Sequence, residues 1–155
     1  MSAEIRELSG GDDLERVADF FARNGYGPSG GALTGVSLDR VFRERGMRLF
    51  LIAEERGRIV ATIGYATMSG RRAAPRDQLF AGMFVIAPSH RTGMLAGRLF
   101  SDSFERLVAS GIRGLRVEVD PANSRAFPLY IRVGFRAIDG MAPDEDGYVE
   151  LVSVL

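Results

Sequence analysis

Cysteine and tryptophan are absent from this chain of 155 residues, and its only histidine is His90. Without cysteine there is no disulfide framework, no thiol nucleophile and no cysteine-ligated zinc or iron–sulfur site. One imidazole cannot build a metal site from several histidines, so we expect no metal. His90 is also the only candidate for a histidine base.

An excess of charge of one sign is missing as well. Lys and Arg total 20, and Asp and Glu total 20, so the formal net charge is zero. Proteins that bind nucleic acids typically carry a basic excess or a basic stripe, so we expect no nucleic-acid partner. No apolar run approaches the roughly 18 residues of a membrane span, and no signal peptide is evident. We therefore predict a cytoplasmic protein without a membrane partner.

The apolar pattern switches between the strand period and the helix period along the whole chain. It predicts seven strands and four helices in the order β, α, α, β, β, β, α, β, α, β, β. This order predicts an α/β (α+β) fold with a mixed sheet, in a single domain that covers residues 1–155. The predicted strands are residues 3–8, 48–54, 59–68, 79–86, 115–119, 135–138 and 148–155, and the predicted helices end near residues 24, 46, 111 and 132.

Two of the predicted helices have informative ends. Ser37 is predicted to cap the second helix. Pro128 falls inside the fourth, residues 124–132. Because proline is tolerated in the first turn of a helix but not in its interior, we expect this helix to begin late or to be distorted just before Tyr130.

Two glycine-rich motifs overlap between the first two predicted helices. Residues 25–30 match the dinucleotide pattern G-x-G-x-x-G, and residues 27–31 match the nucleophile pattern G-x-S-x-G. Both patterns work only after a strand, whereas an amphipathic helix precedes them here. We therefore interpret this segment as a loop, and a serine hydrolase has little support.

A stronger candidate site lies where the fourth predicted strand meets the third predicted helix, in the sequence IAPSHRTGMLA of residues 86–96. The start of a helix presents N–H groups without intrahelical partners, and these suit a phosphate. Arg91 adds a cation, and Gly93 allows the backbone to approach a ligand closely. Any connection from a strand to a helix shares some of these properties, so a plain connection is the alternative.

The most specific pattern lies between residues 123 and 135. Six residues there resemble the N-x-x-A-x-x-L-Y-x-x-x-G-F signature of the GNAT superfamily of N-acetyltransferases: Asn123, Ala126, Leu129, Tyr130, Gly134 and Phe135. Residues 91–96 resemble that family's R/Q-x-x-G-x-G/A coenzyme A motif, although Met94 stands in place of its middle glycine. The resemblance covers residues 79–135, and before that only the order of elements agrees.

The resemblance implies the GNAT fold, in which a mixed and mostly antiparallel central sheet is flanked by about four helices. It implies direct transfer of an acetyl group from acetyl-coenzyme A, as cosubstrate, to an amine of a small molecule or peptide. The cosubstrate would lie in a gap between the fourth and fifth strands. Many relatives are dimers, so a homodimer is also expected. The residues implied in binding coenzyme A are Val85, Ile86, Arg91, Thr92, Gly93, Met94, Leu95, Ala96 and Asn123.

Two residues are candidates for catalysis. Tyr130 matches the family's proton donor to the leaving thiolate, and a tyrosine hydroxyl suits proton transfer, although a core aromatic is the alternative. Glu118 resembles the glutamate of the ribosomal-protein alanine acetyltransferase branch and could accept a proton from the amine. The alternative is that Glu118 is an exposed strand glutamate without a catalytic role, and that water serves as the base instead.

Three other functions remain open at this point. Two are enzymatic, the transfer of a longer acyl group and the acetylation of a protein N-terminus. The third is a non-catalytic acyl-coenzyme A sensor or partner domain, which would keep the coenzyme A loop but would not depend on Tyr130 or Glu118.

Overall fold

Seven strands and four helices make up the part of the chain that this computed structural model describes, which is residues 2–26, 34–69, 72–120, 122–123, 126–138, 143 and 147–155. The strands are β1 (Glu4–Glu7), β2 (Met47–Glu55), β3 (Arg58–Ala66), β4 (Gln78–Ile86), β5 (Gly114–Val119), β6 (Arg136–Ala137) and β7 (Val149–Val154). The helices are α1 (Gly10–Arg23), α2 (Gly35–Arg45), α3 (Leu95–Ala109) and α4 (Ala126–Arg132), and a 3-10 turn covers Pro88–His90. The predicted order is confirmed, with the 3-10 turn as an addition.

All seven strands belong to one sheet, in the order β1-β2-β3-β4-β5-β7-β6. Every neighbouring pair is antiparallel except β4 and β5, which run parallel. A parallel pair needs a crossover connection, and here α3 provides it. The predicted mixed, mostly antiparallel sheet with four flanking helices is therefore confirmed.

Helices cover both faces of the sheet and create two apolar cores. On the α1–α2 face, Val17 and Phe21 of α1 and Leu38 of α2 share a core with Phe50 and Ile52 of β2. The α3–α4 face carries the other core, which includes Leu99, Phe100, Leu107, Tyr130, Phe135, Leu51, Ile63, Leu115 and Leu151. Side chains alternate across a strand. Successive residues along β4, or along β5, can therefore contribute to opposite faces of the sheet.

The beginning of α2 differs from the predicted one. Thr34, not Ser37, is the N-cap of α2, so the prediction for Ser37 is wrong. Ser37 completes a capping box instead, because its hydroxyl accepts the Thr34 N–H at 2.9 Å and its own N–H donates to the Thr34 hydroxyl at 3.1 Å. The described part of α4 runs from Ala126 to Arg132 and contains Pro128 near its start, whereas residues 124 and 125, on which the predicted late start depends, lie outside the described residues. Residues 27–33, which hold most of both glycine-rich motifs, lie outside the described residues.

A network of charged side chains joins β1, α1 and β2. The carboxylate of Asp13, which is only 5% exposed, accepts the Ser9 N–H at 2.8 Å and both terminal nitrogens of Arg6 at 2.7 and 2.9 Å. Arg16 donates to the same carboxylate at 3.2 Å and to Glu54 of β2 at 3.1 Å. The hydrogen bonds from Arg6 hold the pKa of Asp13 well below its ordinary value.

We expect Asp13→Asn to lower the free energy of unfolding by about 1–3 kcal/mol, because a buried, charge-assisted hydrogen-bond set is weakened. The pKa of Asp13 is lower in the folded state than in the unfolded state. Its contribution is therefore present above the ordinary value of 3.8 and is lost as the pH falls below it. Urea unfolding should show a smaller difference between wild type and variant at pH 3 than at pH 7.

The matched control is Asp19→Asn on the same helix, because Asp19 is exposed and pairs with Arg23 alone at 3.1 Å. We expect this change to cost less than about 0.5 kcal/mol. Equal losses in the two variants would contradict the special role of Asp13.

Candidate functional site

β4 and β5 begin side by side and then diverge. Their parallel pairing joins only residues 78–80 of β4 to residues 114–116 of β5, although β4 continues to Ile86 and β5 to Val119. The outer edge of β4 stays paired with β3, and the outer edge of β5 stays paired with β7 as far as Val119. The two strands thus leave a β4–β5 gap that is walled by backbone groups available to a ligand.

A bulge distorts β4 beside this gap. The register with β3 shifts between Thr62 and Gly64, and Met83 adopts a φ of 50°, which is uncommon for a residue other than glycine. The Thr62 hydroxyl donates to the Met83 carbonyl at 2.8 Å and fixes the distorted backbone. Such bulges redirect backbone groups and occur next to active sites.

Tyr26 lies directly above the bulge. Burial raises the pKa of the Tyr26 hydroxyl, and the guanidinium of Arg45 and the backbone N–H of Met83 partly offset this rise. The ring of Tyr26 packs on Phe21, with the ring centroids 4.8 Å apart. The end of α1 therefore places a phenol, and the end of α2 a cation, next to the distorted part of β4.

The start of α3 offers N–H groups that no side chain caps. Its N-cap is Met94, whose side chain makes no capping hydrogen bond. The first intrahelical bond runs from the Arg98 N–H to the Met94 carbonyl at 3.1 Å, so the N–H groups of Leu95 and Ala96 precede it. Met94 is 84% exposed. Its side chain points into solvent, so the residue that replaces the family's glycine leaves these N–H groups accessible.

The predicted coenzyme A residues after β4 lie together at the open end of the gap. The Nε of Arg91 donates to the carbonyl of Ile86 at 3.1 Å, which holds the guanidinium beside the last residue of β4. Thr92 and Gly93 are exposed in the turn that follows. A Cβ on Gly93 would meet only the His90 carbonyl, at 3.8 Å, so packing within the protein does not require this glycine. Val85 pairs with β3 and is buried in the α1–α2 core.

His90 connects the turn between β4 and α3 to the hairpin between β2 and β3. Its Nε2 lies 2.8 Å from Oε2 of Glu55, and its Nδ1 lies 2.8 Å from the Ser89 hydroxyl. The hydrogen bond from His90 lowers the pKa of Glu55. The only histidine thus contacts the hairpin through one ring nitrogen and Ser89 through the other.

Asn123 caps α4. Its Oδ1 accepts the Ala126 N–H at 3.0 Å, and its carbonyl accepts the Phe127 N–H at 3.2 Å. Asparagine is a favoured helix cap for this reason. The asparagine and alanine of the signature therefore fix the start of the helix that carries Tyr130.

Tyr130 lies on the α3–α4 face beside the gap. It is buried among Phe135, Phe100 and Phe84, with ring centroids 5.4, 5.9 and 6.0 Å away. Phe84 belongs to the part of β4 that has no pairing with β5. Burial raises the pKa of Tyr130, and the nearby Tyr26 raises it further. The hydroxyl therefore keeps its proton at neutral pH.

Glu118 lies on the opposite, α1–α2 face of the sheet. Its neighbours in β5, Val117 and Val119, point into the α3–α4 core. The side chain of Glu118 is 14% exposed and lies 3.5 Å from the guanidinium of Arg72. It stands opposite Glu150 in the register of β5 and β7, and Arg72 also pairs with Glu150. A compact cluster of opposite charges therefore surrounds Glu118.

A pocket of about 380 Å³ opens on the α1–α2 face next to the gap. Glu118 lines one side of it, Tyr26 and Arg45 line another, and Gly82 and Met83 of β4 form its floor. The remaining lining residues are Met47, Gly64, Ala66, Met68, Ser69, Phe80, Ala81 and Tyr148. The pocket and Tyr130 thus lie on opposite sides of the sheet, with the β4–β5 gap between them.

Most of the lining residues, among them Arg45 and Met83, were not anticipated from the sequence. No sequence pattern indicates a positive φ at a methionine. Tyr26 and Arg45 reach the pocket because α1 and α2 both end above β4, which is a consequence of helix packing. The only local signal was Gly46, which marks the end of α2 immediately after Arg45.

Within the described residues, no group of three His, Asp or Glu side chains converges as a metal site. None of the helices in that part of the chain is long and apolar enough to cross a membrane.

The sequence model of the acetyltransferase (GNAT) family matches residues 14–135. The chain belongs to the acetyltransferase (GNAT) family. The resemblance of residues 79–135 to this family, and the prediction of a GNAT-type acyltransferase, are thereby confirmed. No curated protein matches the chain in sequence.

Solved structures of this family share the fold. The GNAT domain of PAT from S. lividans is 23% identical, with a TM-score of 0.77, over 99% of this chain and 90% of that one. PaiA N-acetyltransferase from Thermoplasma acidophilum, solved in complex with coenzyme A, is 17% identical, with a TM-score of 0.73, over 100% of both chains. Ribosomal-protein-alanine N-acetyltransferase from Brucella melitensis is 16% identical, with a TM-score of 0.74, over 98% of this chain and 99% of that one.

Gly82 offers a direct test of the pocket. A Cβ added there would meet nothing within 4 Å, and Gly82 lines the pocket, so we expect a larger side chain to extend into it. We expect Gly82→Leu to leave the melting temperature nearly unchanged. It should raise KM for an amine acceptor by about tenfold or more, because the side chain occupies the volume that a ligand needs.

The control for this variant is Gly11→Leu in the first turn of α1, where a Cβ also meets nothing within 4 Å. This change should leave KM for the acceptor unchanged. An unaltered KM in Gly82→Leu would mean that the acceptor binds elsewhere.

Proposed function

We propose that this protein is an acetyl-coenzyme A-dependent N-acetyltransferase that transfers the acetyl group directly to an amine of a small molecule or peptide, and that residues 1–155 form one catalytic domain. One observation carries this proposal. The β4–β5 gap connects the uncapped start of α3 at one end with the pocket that contains Glu118 on one face and with Tyr130 on the other.

The residues around the gap fit coenzyme A. The N–H groups of Leu95 and Ala96, together with Arg91, would hold the pyrophosphate. The backbone of β4 near Val85 and Ile86 would pair with the amides of the pantetheine arm, since this edge of β4 has no strand partner beyond Phe80. Two neighbours of the same fold were solved in complex with coenzyme A.

The thioester supplies an activated acetyl group, and the remaining chemistry falls to this chain. Glu118 would accept a proton from the incoming ammonium, so that the neutral amine can form the new carbon–nitrogen bond. Backbone N–H groups along the unpaired edge of β4 would stabilise the charge that develops on the carbonyl oxygen. Tyr130 would donate its proton to the sulfur as the carbon–sulfur bond breaks, and the extra proton on the new amide nitrogen would be released and would restore the Tyr130 hydroxyl. No acyl-enzyme is required, in keeping with a chain that has no cysteine.

Burial raises the pKa of Tyr130, so the hydroxyl still carries the proton that the leaving thiolate would receive. The cytoplasmic location and the homodimer stay predictions.

Tyr130→Phe tests the proposal. This change keeps the ring in its aromatic cluster and removes the proton. The kcat for thiol release from acetyl-coenzyme A should fall by about 100-fold or more, because general acids contribute at that scale. The affinity for acetyl-coenzyme A, measured by the rise in melting temperature on binding, should stay nearly unchanged.

The matched control is Tyr65→Phe, because Tyr65 is fully buried in the same core and also loses only a hydroxyl. Its kcat should stay close to that of the wild type. Normal turnover by Tyr130→Phe would contradict the assignment of Tyr130 as the general acid. The absence of both acetyl-coenzyme A binding and turnover in the wild type would contradict the proposed function as a whole.

Glu118→Gln should reduce the rate most at low pH, where the acceptor amine is protonated and needs a base. Glu150→Gln is the control, because it removes the same charge from the same cluster at the position opposite Glu118. A pH–rate profile of Glu118→Gln that matches the wild type would favour a route through water. Equal effects of both variants would indicate a general electrostatic effect of the cluster.

A further inference from the structure

Arg45 is an unusual member of the pocket lining. Its guanidinium makes no ion pair or side-chain hydrogen bond with any residue in the part of the chain that the structure describes. Arg72 and Arg116, on the same face of the sheet, both pair with Glu150. Removing a cation from water is costly unless an anion compensates it. Among the described residues, the half-buried Arg45 thus has no carboxylate partner of the kind that Arg72 and Arg116 have.

The backbone holds Arg45 firmly at this place. Its carbonyl accepts the Met68 N–H at 2.9 Å and the Thr67 hydroxyl at 3.2 Å. The next residue, Gly46, has a φ of 64°, and a Cβ there would lie 2.2 Å from the Thr67 hydroxyl oxygen. Only glycine fits, so α2 must end here and Arg45 is fixed against the end of β3. The backbone that carries Arg45 is thus held beside the pocket that this residue lines.

The other residues that line the pocket indicate which chemical groups a ligand would need. Met47, Met68, Phe80 and Met83 make much of the pocket apolar. Glu118 is the only carboxylate among its lining residues that the structure describes. The volume of about 380 Å³ lies at the small end of the range for small-molecule sites. The pocket thus combines a cation, a carboxylate and an apolar middle in a space suited to a compact molecule.

We propose that Arg45 binds a carboxylate of the acceptor, and that the acceptor is a free amino acid or a close analogue with an apolar side chain. Its amine would face Glu118, its carboxylate would pair with Arg45, and its side chain would contact the methionines and Phe80. Guanidinium and carboxylate match in a planar, two-pronged geometry, so this pair selects for the acid over uncharged derivatives. This inference rests on the proposed function and narrows its acceptor class.

Matched acceptors test the proposal: L-methionine, L-methioninamide and 3-(methylthio)propylamine, which differ only at the carboxyl position. The rate of thiol release from acetyl-coenzyme A gives kcat/KM for each acceptor. It is measured with the wild type and with the variants Arg45→Met and Arg45→Lys. Because the amines differ in basicity, the decisive quantity is the ratio of acid to amide compared between the enzymes. We expect Arg45→Met to lower this ratio by about tenfold or more through KM, and Arg45→Lys to restore part of it.

Arg48→Met is the control, since Arg48 is an exposed arginine outside the pocket. It should leave the ratio unchanged. An identical ratio in wild type and Arg45→Met would overturn the proposal. Faster acetylation of a peptide with a free N-terminus and an amidated C-terminus than of any free amino acid would overturn it as well.

A binding measurement separates this proposal from the proposed function. With coenzyme A present, N-acetyl-L-methionine should raise the melting temperature of the wild type more than N-acetyl-L-methioninamide does, and Arg45→Met should abolish the difference. Equal shifts with both compounds in the wild type would refute the carboxylate site even if acetyl transfer occurs. A difference that depends on Arg45 would support the carboxylate site. Acetyl-coenzyme A binding without acetylation of any of the three amines would overturn the assignment of an apolar amino acid as the acceptor.

Discussion

Parallel hydrogen bonding between β4 and β5 stops after Phe80 and Arg116, and beyond that point each strand keeps only its outer neighbour. Every part of the candidate site borders the opening that results. A sheet paired to its ends would be a continuous barrier between the α1–α2 face and the α3–α4 face. Because the strands diverge, the opening lies between the face that carries Glu118 and the face that carries Tyr130, as the proposed mechanism requires.

The two faces provide opposite surroundings for these two side chains. Tyr130 is packed among aromatic rings, and burial there raises its pKa and keeps its proton in place. Glu118 lies beside Arg72, in a cluster where charges of both signs alternate. Assigning an acid and a base to different environments is a general way in which one site performs both tasks at one pH. In the proposed mechanism, the two sides of one sheet provide these two environments.

The elements themselves were predictable, because helix and strand periods are local properties. The order of all eleven elements was correct. The start of α2 was misjudged because Thr34 and Ser37 are both good caps, and only the geometry of their reciprocal hydrogen bonds distinguishes them. At the candidate site, the motifs at residues 91–96 and 123–135 were visible, since each occupies one short stretch of chain.

The sequence by itself determined the succession of strands and helices, the family and the stretch of chain that resembles a coenzyme A loop. Only the tertiary structure decided that Tyr26 and Arg45 meet Met83 and Glu118 around one pocket. These residues come from α1, α2, β4 and β5, and their proximity depends on how helices pack on a sheet that opens in the middle. The spacing of residues along the chain does not show contacts between distant segments, so the pocket lining becomes evident only in the folded chain.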